Sequence, residues 1–274
     1  MFHADEMIAN SACSGHKDQH PHTILYNILS RRDSDRLNGK RNSYFVVHNC
    51  LCKQRKVCLK DPKATCQVAA GVLVKSVCFM RSLPCFNQLP PGDQSSLLRH
   101  GWVPLFLLGL AQERTVFEVT DAPNSSILRR ILLRPGLSEK EADQPTLAGV
   151  HRLRACLRQL RDLDLSPKEY AYLRGAVLFN PVVHGLSAPW CIEGLQQEAQ
   201  RALQEVVGLL HPDDAGRFRH ILLVASATQN VSHDLVAQLF FKPLIGNANI
   251  IHLLTDMLIC PMRITENVLT FILE

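Results

Sequence analysis

Between Asp93 and Gln112 the chain has almost no polar face. Leu97, Leu98, Trp102, Leu105, Leu108 and Leu110 spread around every side of a helix over Gln94–Gln112. A helix apolar on one stripe can lie on a surface, whereas one apolar nearly all round has to be enclosed. The near-apolar run Trp102–Ala111 is about half of what a bilayer crossing needs, so the enclosure must come from protein. The rest of the chain supplies the covers. From Cys66 to Pro84, Val68, Val72, Phe79/Met80 and Leu83 recur at helical spacing around the small Ser76. Leu147, Val150, Leu153, Leu157 and Leu160 form a stripe backed by Arg152, Arg154, Arg158 and Arg161. Ser166-Pro167-Lys168-Glu169 is a capping box with proline at the first helical position, opening a helix to about Phe179 that Asn180-Pro181 closes. Further helices are predicted over 188–210, 213–241 and 249–259. Asn124 and Ser125 can cap another through Ile127–Leu133. Arg114–Thr120 alternates like a short strand, and Pro135–Thr146 reads as an exposed loop. The sum is an all-α globule with a buried central layer and one small β element.

Charge divides the chain. Of the formal +5, residues 1–66 carry all of it, with 11 Lys and Arg against 6 Asp and Glu, and the remainder is neutral. Phosphate neutralisation needs clustered Lys and Arg, so the large neutral part is not built to grip a nucleic-acid backbone. At 46% hydrophobic and 20% charged residues, wholesale disorder is excluded. The opening residues MFHADEMIANSA lack an apolar signal core, which leads to the expectation of a soluble intracellular chain. Residues 1–66 read as a loose basic arm with one apolar knot, Ile24–Leu29. The Lys and Arg pairs of that arm suit nuclear import or an acidic partner.

Chemistry is absent from the motifs. No G-x-S-x-G, phosphate loop, dinucleotide fingerprint or H-E-x-x-H occurs, so no catalytic residues are assigned. Cys50, Cys52, Cys58 and Cys66, beside His48, are numerous enough for zinc. Their C-x-C-x5-C-x7-C spacing lacks paired C-x2-C knuckles, and reduced thiols in a basic arm are the favoured reading. Cys13, His16, His20 and His22 read as polar surface. No metal and no cofactor is therefore expected. Cys78, Cys85 and Cys156 fall where apolar residues belong, as reduced buried cysteines do.

Two L-x-x-I-L sequences carry a mechanism. On a helix, Leu25, Ile28 and Leu29 share one face, the pattern of a helix that docks into an apolar groove. Burying three such side chains yields about 5–9 kcal/mol gross, which after ordering and docking costs corresponds to micromolar binding. Leu128, Ile131 and Leu132 repeat the spacing, which an ordinary amphipathic helix also shows. On the late helix, Leu253-Leu254 and Met257-Leu258 flank the lone carboxylate of Asp256. That helix either closes the core or acts as a lid whose acid caps the end of a partner helix.

The stretch Leu83-Pro84-Cys85-Phe86-Asn87-Gln88-Leu89, followed by Asp93-Gln94-Ser95-Ser96-Leu97-Leu98 and Trp102, resembles the signature of nuclear-receptor ligand-binding domains. Phe240–Gly246 before the last helix resembles that family's closing segment, and the likeness covers about residues 66–259. It implies an all-α, three-layer antiparallel helical sandwich with one small β-hairpin. The expected organisation is an arm over 1–66, a receptor-like domain over 67–259 and an extension over 260–274. Within the family the chain is most similar to orphan receptors that lack a DNA-binding module, and residues 1–66 contain no paired zinc knuckles. The resemblance implies a nuclear corepressor, present also in the cytoplasm, that heterodimerises with other nuclear receptors and brings corepressor proteins, without binding DNA or membrane. Leu25, Ile28, Leu29 and Leu128, Ile131, Leu132 would be its docking motifs, each with Ile where the common pattern has Leu. The positions matching the family's coregulator groove are Arg81, Arg99, Leu254, Asp256 and Met257. Arg81 replaces the common lysine and Asp256 the common glutamate. The alternative is a ligand-gated receptor holding a lipid-like molecule.

Overall fold

The computed structural model describes residues 55–122, 144–246 and 248–259. Both L-x-x-I-L motifs, the segment 260–274, and Cys13, His16, His20, His22, His48, Cys50 and Cys52 lie outside them. The described chain begins in strand β1 (Val57–Leu59), which pairs antiparallel with β2 (Val119–Asp121) in the register Val57↔Asp121 and Leu59↔Val119. The connection between the two strands is long and consists of helices α1 (Pro62–Ser82), α2 (Pro84–Asn87) and α3 (Pro91–Gln112). Helices α4 (Leu147–Asp162), α5 (Pro167–Leu178), α6 (Pro189–Leu210) and α7 (Arg217–Ser226) follow. After these come the short α8 (His233–Val236) and α9 (Lys242–Ile245), and then the last described helix, α10 (Ile250–Ile259). Strand β1 and the first turn of α1 lie ahead of residue 67, where the composition changes.

The central helix is α3, as its missing polar face requires. Leu97, Leu98 and every residue from Gly101 to Ala111 are buried. α1, α4, α5 and α10 all pack against it. The approach of α1 is closest at Gly109, where an added Cβ would lie 2.4 Å from Cγ1 of Val72. Only glycine permits that separation of the two helices. α1 has the length and apolar content of a membrane span. Here it turns Cys66, Ala69, Val72, Leu73, Val77 and Met80 into the core and sets Lys75 outside, 2.6 Å from Glu113.

Side chains cap the starts of three helices, of which the sequence announces the box at Ser166. Asp61 accepts from the Ala64 N–H at 3.2 Å ahead of Pro62, and Thr146 accepts from Gly149 at 3.2 Å. At α5 the Ser166 hydroxyl accepts from the Glu169 N–H at 3.3 Å, and the Glu169 carboxylate accepts from the Ser166 N–H at 2.7 Å. The box does more than cap. Glu169 is fully buried, and Arg217 at the start of α7 donates to it from Nε at 3.1 Å. Burial works to raise the Glu169 carboxyl, and Arg217 together with the Ser166 bonds outweighs it, holding the pKa below the ordinary carboxylate range.

Three expectations are corrected. The strand over Arg114–Thr120 shrinks to β2, because guanidinium groups of α4 take the carbonyls that a partner strand would have bonded. Arg161 Nη2 donates to the Thr115 carbonyl and Arg154 Nη2 to the Phe117 carbonyl, the latter at 2.7 Å. Phe117 then turns inward, 5.1 Å from the Phe240 ring and beneath the Arg154 guanidinium. The single helix over 213–241 is broken. α7 ends in a 3-10 turn (Ala227–Asn230), Ser232 starts α8 by accepting from Leu235 N–H, and a π turn (Ala237–Phe241) follows. That irregular stretch buries the consecutive Phe240 and Phe241, which both meet the Phe106 ring at 5.5 and 5.2 Å. Cys78 is exposed and Cys85 half-buried, whereas Cys156 is buried as expected. Cys66, read as part of the arm, is a core residue, and burial pushes its thiol and that of Cys156 up to about 11.

Gly109→Ala is expected to destabilise the domain by about 1–3 kcal/mol through overpacking against Val72, read as a lower thermal midpoint. Because the Glu169 pKa is lowered on folding, the stability it contributes is present above about pH 4.3 and is lost as pH falls through the folded value. Glu169→Gln leaves Arg217 uncompensated and is expected to cost about 3–5 kcal/mol at neutral pH. In urea unfolding at a series of pH values, its difference from the parent should shrink below about pH 4.3.

Candidate functional site

The receptor-like signature is, residue by residue, a structural clasp. Phe86, Leu97 and Leu98 are fully buried, and Leu89 and Trp102 nearly so. Gln94 donates from Nε2 to the carbonyls of Leu89 at 2.8 Å and Asn87 at 3.2 Å, which fixes α2 against the start of α3. Asn87 in turn donates to the Arg81 carbonyl at 2.8 Å, closing the last turn of α1. Asp93 is buried at 0% exposure, and its two oxygens accept from the Ser187 and Ala188 N–H groups at 2.8 and 2.9 Å. Those amides stand immediately ahead of α6, Ala188 being its N-cap, so one carboxylate ties the central helix to the outer layer. In the sequence Asp93 merely precedes the apolar run, and its partners lie 94 and 95 residues away. No spacing in the chain announces that contact.

This clasp sets the geometry of the expected groove. α10 packs against both α1 and α3, so the three helices that carry Arg81, Arg99 and Asp256 are neighbours. Arg81 sits half-buried in the last turn of α1, where a cation suits the negative end of the helix. Arg99 is exposed on α3 and Asp256 is exposed on α10. Among the described residues, no hydrogen bond or ion pair engages the side chains of Arg81, Arg99 or Asp256. Two basic groups and one acid thus stand unengaged on three helices that pack together.

The final helix divides its apolar residues differently from expectation. Leu254 and Met257 are 0% and 4% exposed and face the core, where they are out of reach of a docked partner. Their burial corrects the assignment of these two residues to the groove lining. They seat α10, and Leu253 and Leu258, half-buried and packed on the core, are the residues left beside Asp256. The helical repeat accounts for this: 254 and 257 lie three apart on one face, and 253 and 256 on the next. Gly246, at φ +61°, ends α9 ahead of that helix in a left-handed conformation that favours glycine.

Residues 60–245 match the family described as the ligand-binding domain of nuclear hormone receptor. The chain is 46% identical over 254 residues to nuclear receptor subfamily 0 group B member 2 of Rattus norvegicus, covering 90% of this chain and 95% of that protein. It is 48% identical over 217 residues to the Homo sapiens protein of the same name, covering 77% of this chain and 84% of that one. Nuclear receptor subfamily 0 group B member 1 of Sus scrofa is 33% identical over 228 residues, covering 76% of this chain but 48% of its own length. Together with the clasp built by Phe86, Leu89, Asp93, Gln94, Leu97, Leu98 and Trp102, these matches establish that the chain belongs to the nuclear hormone receptor ligand-binding domain family, whose activity is regulatory rather than enzymatic.

Proposed function

We propose that this chain is a transcriptional corepressor that heterodimerises with other nuclear receptors. Its L-x-x-I-L motifs at Leu25, Ile28, Leu29 and at Leu128, Ile131, Leu132 occupy the grooves that coactivators use. Its own domain recruits repressor proteins without contacting DNA. It acts in the nucleus and is present also in the cytoplasm. The observation that carries this reading is the trio of unengaged charges, Arg81, Arg99 and Asp256, on helices that the signature clasp holds together. Such a surface is suited to gripping the two ends of a short helix, an acid at its positive end and bases at its negative end. The family membership and the net charge confined to the first 66 residues point the same way. The interior adds support for contact-driven over lipid-gated action. Phe106, Phe117, Phe240 and Phe241 interlock edge to face, with ring centroids 5.1–5.5 Å apart, and fill the space beside α3.

The test is binding of the full chain to the ligand-binding domain of another nuclear receptor, with four leucines replaced in pairs. Leu25→Ala with Leu29→Ala, combined with Leu128→Ala and Leu132→Ala, is expected to weaken affinity at least tenfold, about 1.4 kcal/mol. Unchanged affinity in the combined variant would overturn the docking mechanism. For the chain's own groove, a helical L-x-x-L-L peptide is the probe. Asp256→Lys is expected to weaken its binding about tenfold while leaving the thermal midpoint in place, because the Asp256 side chain is exposed and unpaired.

A further inference from the structure

On the far side of α3 from its signature end, two turns face each other across a cavity of about 250 Å³. One follows α3 at Arg114, and the other joins α4 to α5 at Asp164. Gln112, Arg114, Arg161, Asp164, Pro167 and Tyr170 are among the lining residues. Arg114 and Asp164 are the two non-glycine residues with positive φ among the described residues, at 51° and 42°. They are also each other's partners, Nη2 to Oδ1 at 2.9 Å, with side chains 75% and 82% exposed. An ion pair so open to water returns little free energy, and the left-handed backbone is that of two helix ends, where the Arg114 and Thr115 N–H groups return to the Ala111 and Leu110 carbonyls at 3.0 Å and the Asp164 N–H to the Arg161 carbonyl at 3.0 Å. What the two turns do is hold Arg114 at the cavity mouth.

The wall of the cavity is basic and unsatisfied. Arg161 donates from Nη2 to the Thr115 carbonyl, but its Nε is buried without an acceptor. Trp102 Nε1 and Arg174 Nε are likewise buried without an acceptor among the described residues, and Arg161 is the one of the three residues that lines this cavity. Tyr170 is 6% exposed; burial pushes its hydroxyl pKa up, and the positive charges of Arg174, Arg114 and Arg161 work against that without cancelling it. Two guanidinium groups against the single carboxylate of Asp164 leave the lining net positive. The planar guanidinium fork matches phosphate and carboxylate oxygens. A volume of about 250 Å³ is several times that of one water, about 30 Å³ in the liquid, and is far too small for a docked helix.

We propose that this cavity binds a small soluble phosphate-bearing molecule, a phosphate monoester or phosphate itself. Arg161 Nε and the Tyr170 hydroxyl donate to its oxygens from within, and Arg114 closes over it from the mouth, exchanging Asp164 for the ligand. The site is separate from the coregulator groove, so its occupancy is readable without any docking partner.

The experiment titrates the full chain with inorganic phosphate and, separately, glycerol 3-phosphate by calorimetry at constant ionic strength, with chloride as the control anion. One saturable site per chain is expected. Arg161→Gln is expected to weaken it tenfold or more, with Arg161→Lys between the two because it restores charge without the fork. Arg161 also holds the Thr115 carbonyl, so the exposed Arg114→Ala is the variant that spares the fold, and it is expected to weaken binding at least threefold. Tyr170→Phe is expected to weaken it several-fold. Absence of saturable binding, an equal response to chloride, or unchanged affinity in both Arg161→Gln and Arg114→Ala would overturn the proposal. Vesicles containing phosphatidic acid form the remaining arm. Binding to these, with none to either soluble phosphate, would reject a soluble ligand.

Discussion

Enclosing α3 is the constraint on which the rest of the structure depends. A helix with buried residues on every side gains about 2 kcal/mol for each large side chain it removes from water, provided that neighbours approach closely enough to exclude voids. That condition explains Gly109, where Val72 of α1 leaves no room for a Cβ. It also explains why Pro104 is tolerated mid-helix. Proline removes a backbone donor and in an exposed helix costs about 3 kcal/mol, but here it lies buried within an apolar sheath that offers α3 no alternative conformation. The covering helices can be amphipathic because the central one is not.

Enclosure raises a second problem, since layers stacked on an apolar rod are free to slide. Buried charge fixes their register. Asp93 reaches from α3 to the two amides that begin α6, and Glu169 reaches from α5 to Arg217 at the start of α7. Each carboxylate is fully buried, and each is bonded at both oxygens. A buried charge stabilises only in the one arrangement that satisfies it, so these contacts penalise every displaced packing. The receptor signature is thereby explained without reference to ligands. Its Asp, Gln and apolar positions clasp α1, α2, α3 and α6.

Periodicity made the regular part of this architecture legible. The stripe of α4, the capping box of α5 and the all-round burial of α3 are local patterns, and local hydrogen bonding and burial follow from them. What escaped is non-local. The strand over 114–120 was cut short by Arg154 and Arg161, which lie 37 and 46 residues from the carbonyls they bond. On the sequence those arginines are only the polar backing of a stripe. The break at residues 227–241 followed from the need to bury Phe240 and Phe241 side by side, which a regular helix cannot do on one face. For the site, the family pattern points to Arg81, Arg99 and Asp256, which stand unengaged among the described residues, but it does not announce the inward turn of Leu254 and Met257. Flanking apolar pairs around an acid look symmetric on paper, and only the neighbouring helices decide which member of each pair goes inside.

That division on α10 links packing to regulation. Leu254 and Met257 bind the helix to the core through apolar contact, whereas Asp256 is held by nothing among the described residues. The helix is therefore seated by one face and leaves its acid open on another. Displacing it would expose two large apolar side chains, at about 2 kcal/mol each, while forming a clamp with a partner helix costs its acid no existing bond. Aspartate in place of the longer glutamate shortens the reach of that acid by one methylene. A groove with a shorter clamp retains helices that bring apolar surface of their own and holds less firmly those that depend on the charge alone. In the docking proposed for this chain, selectivity among partners would therefore rest with the apolar face of the docked helix.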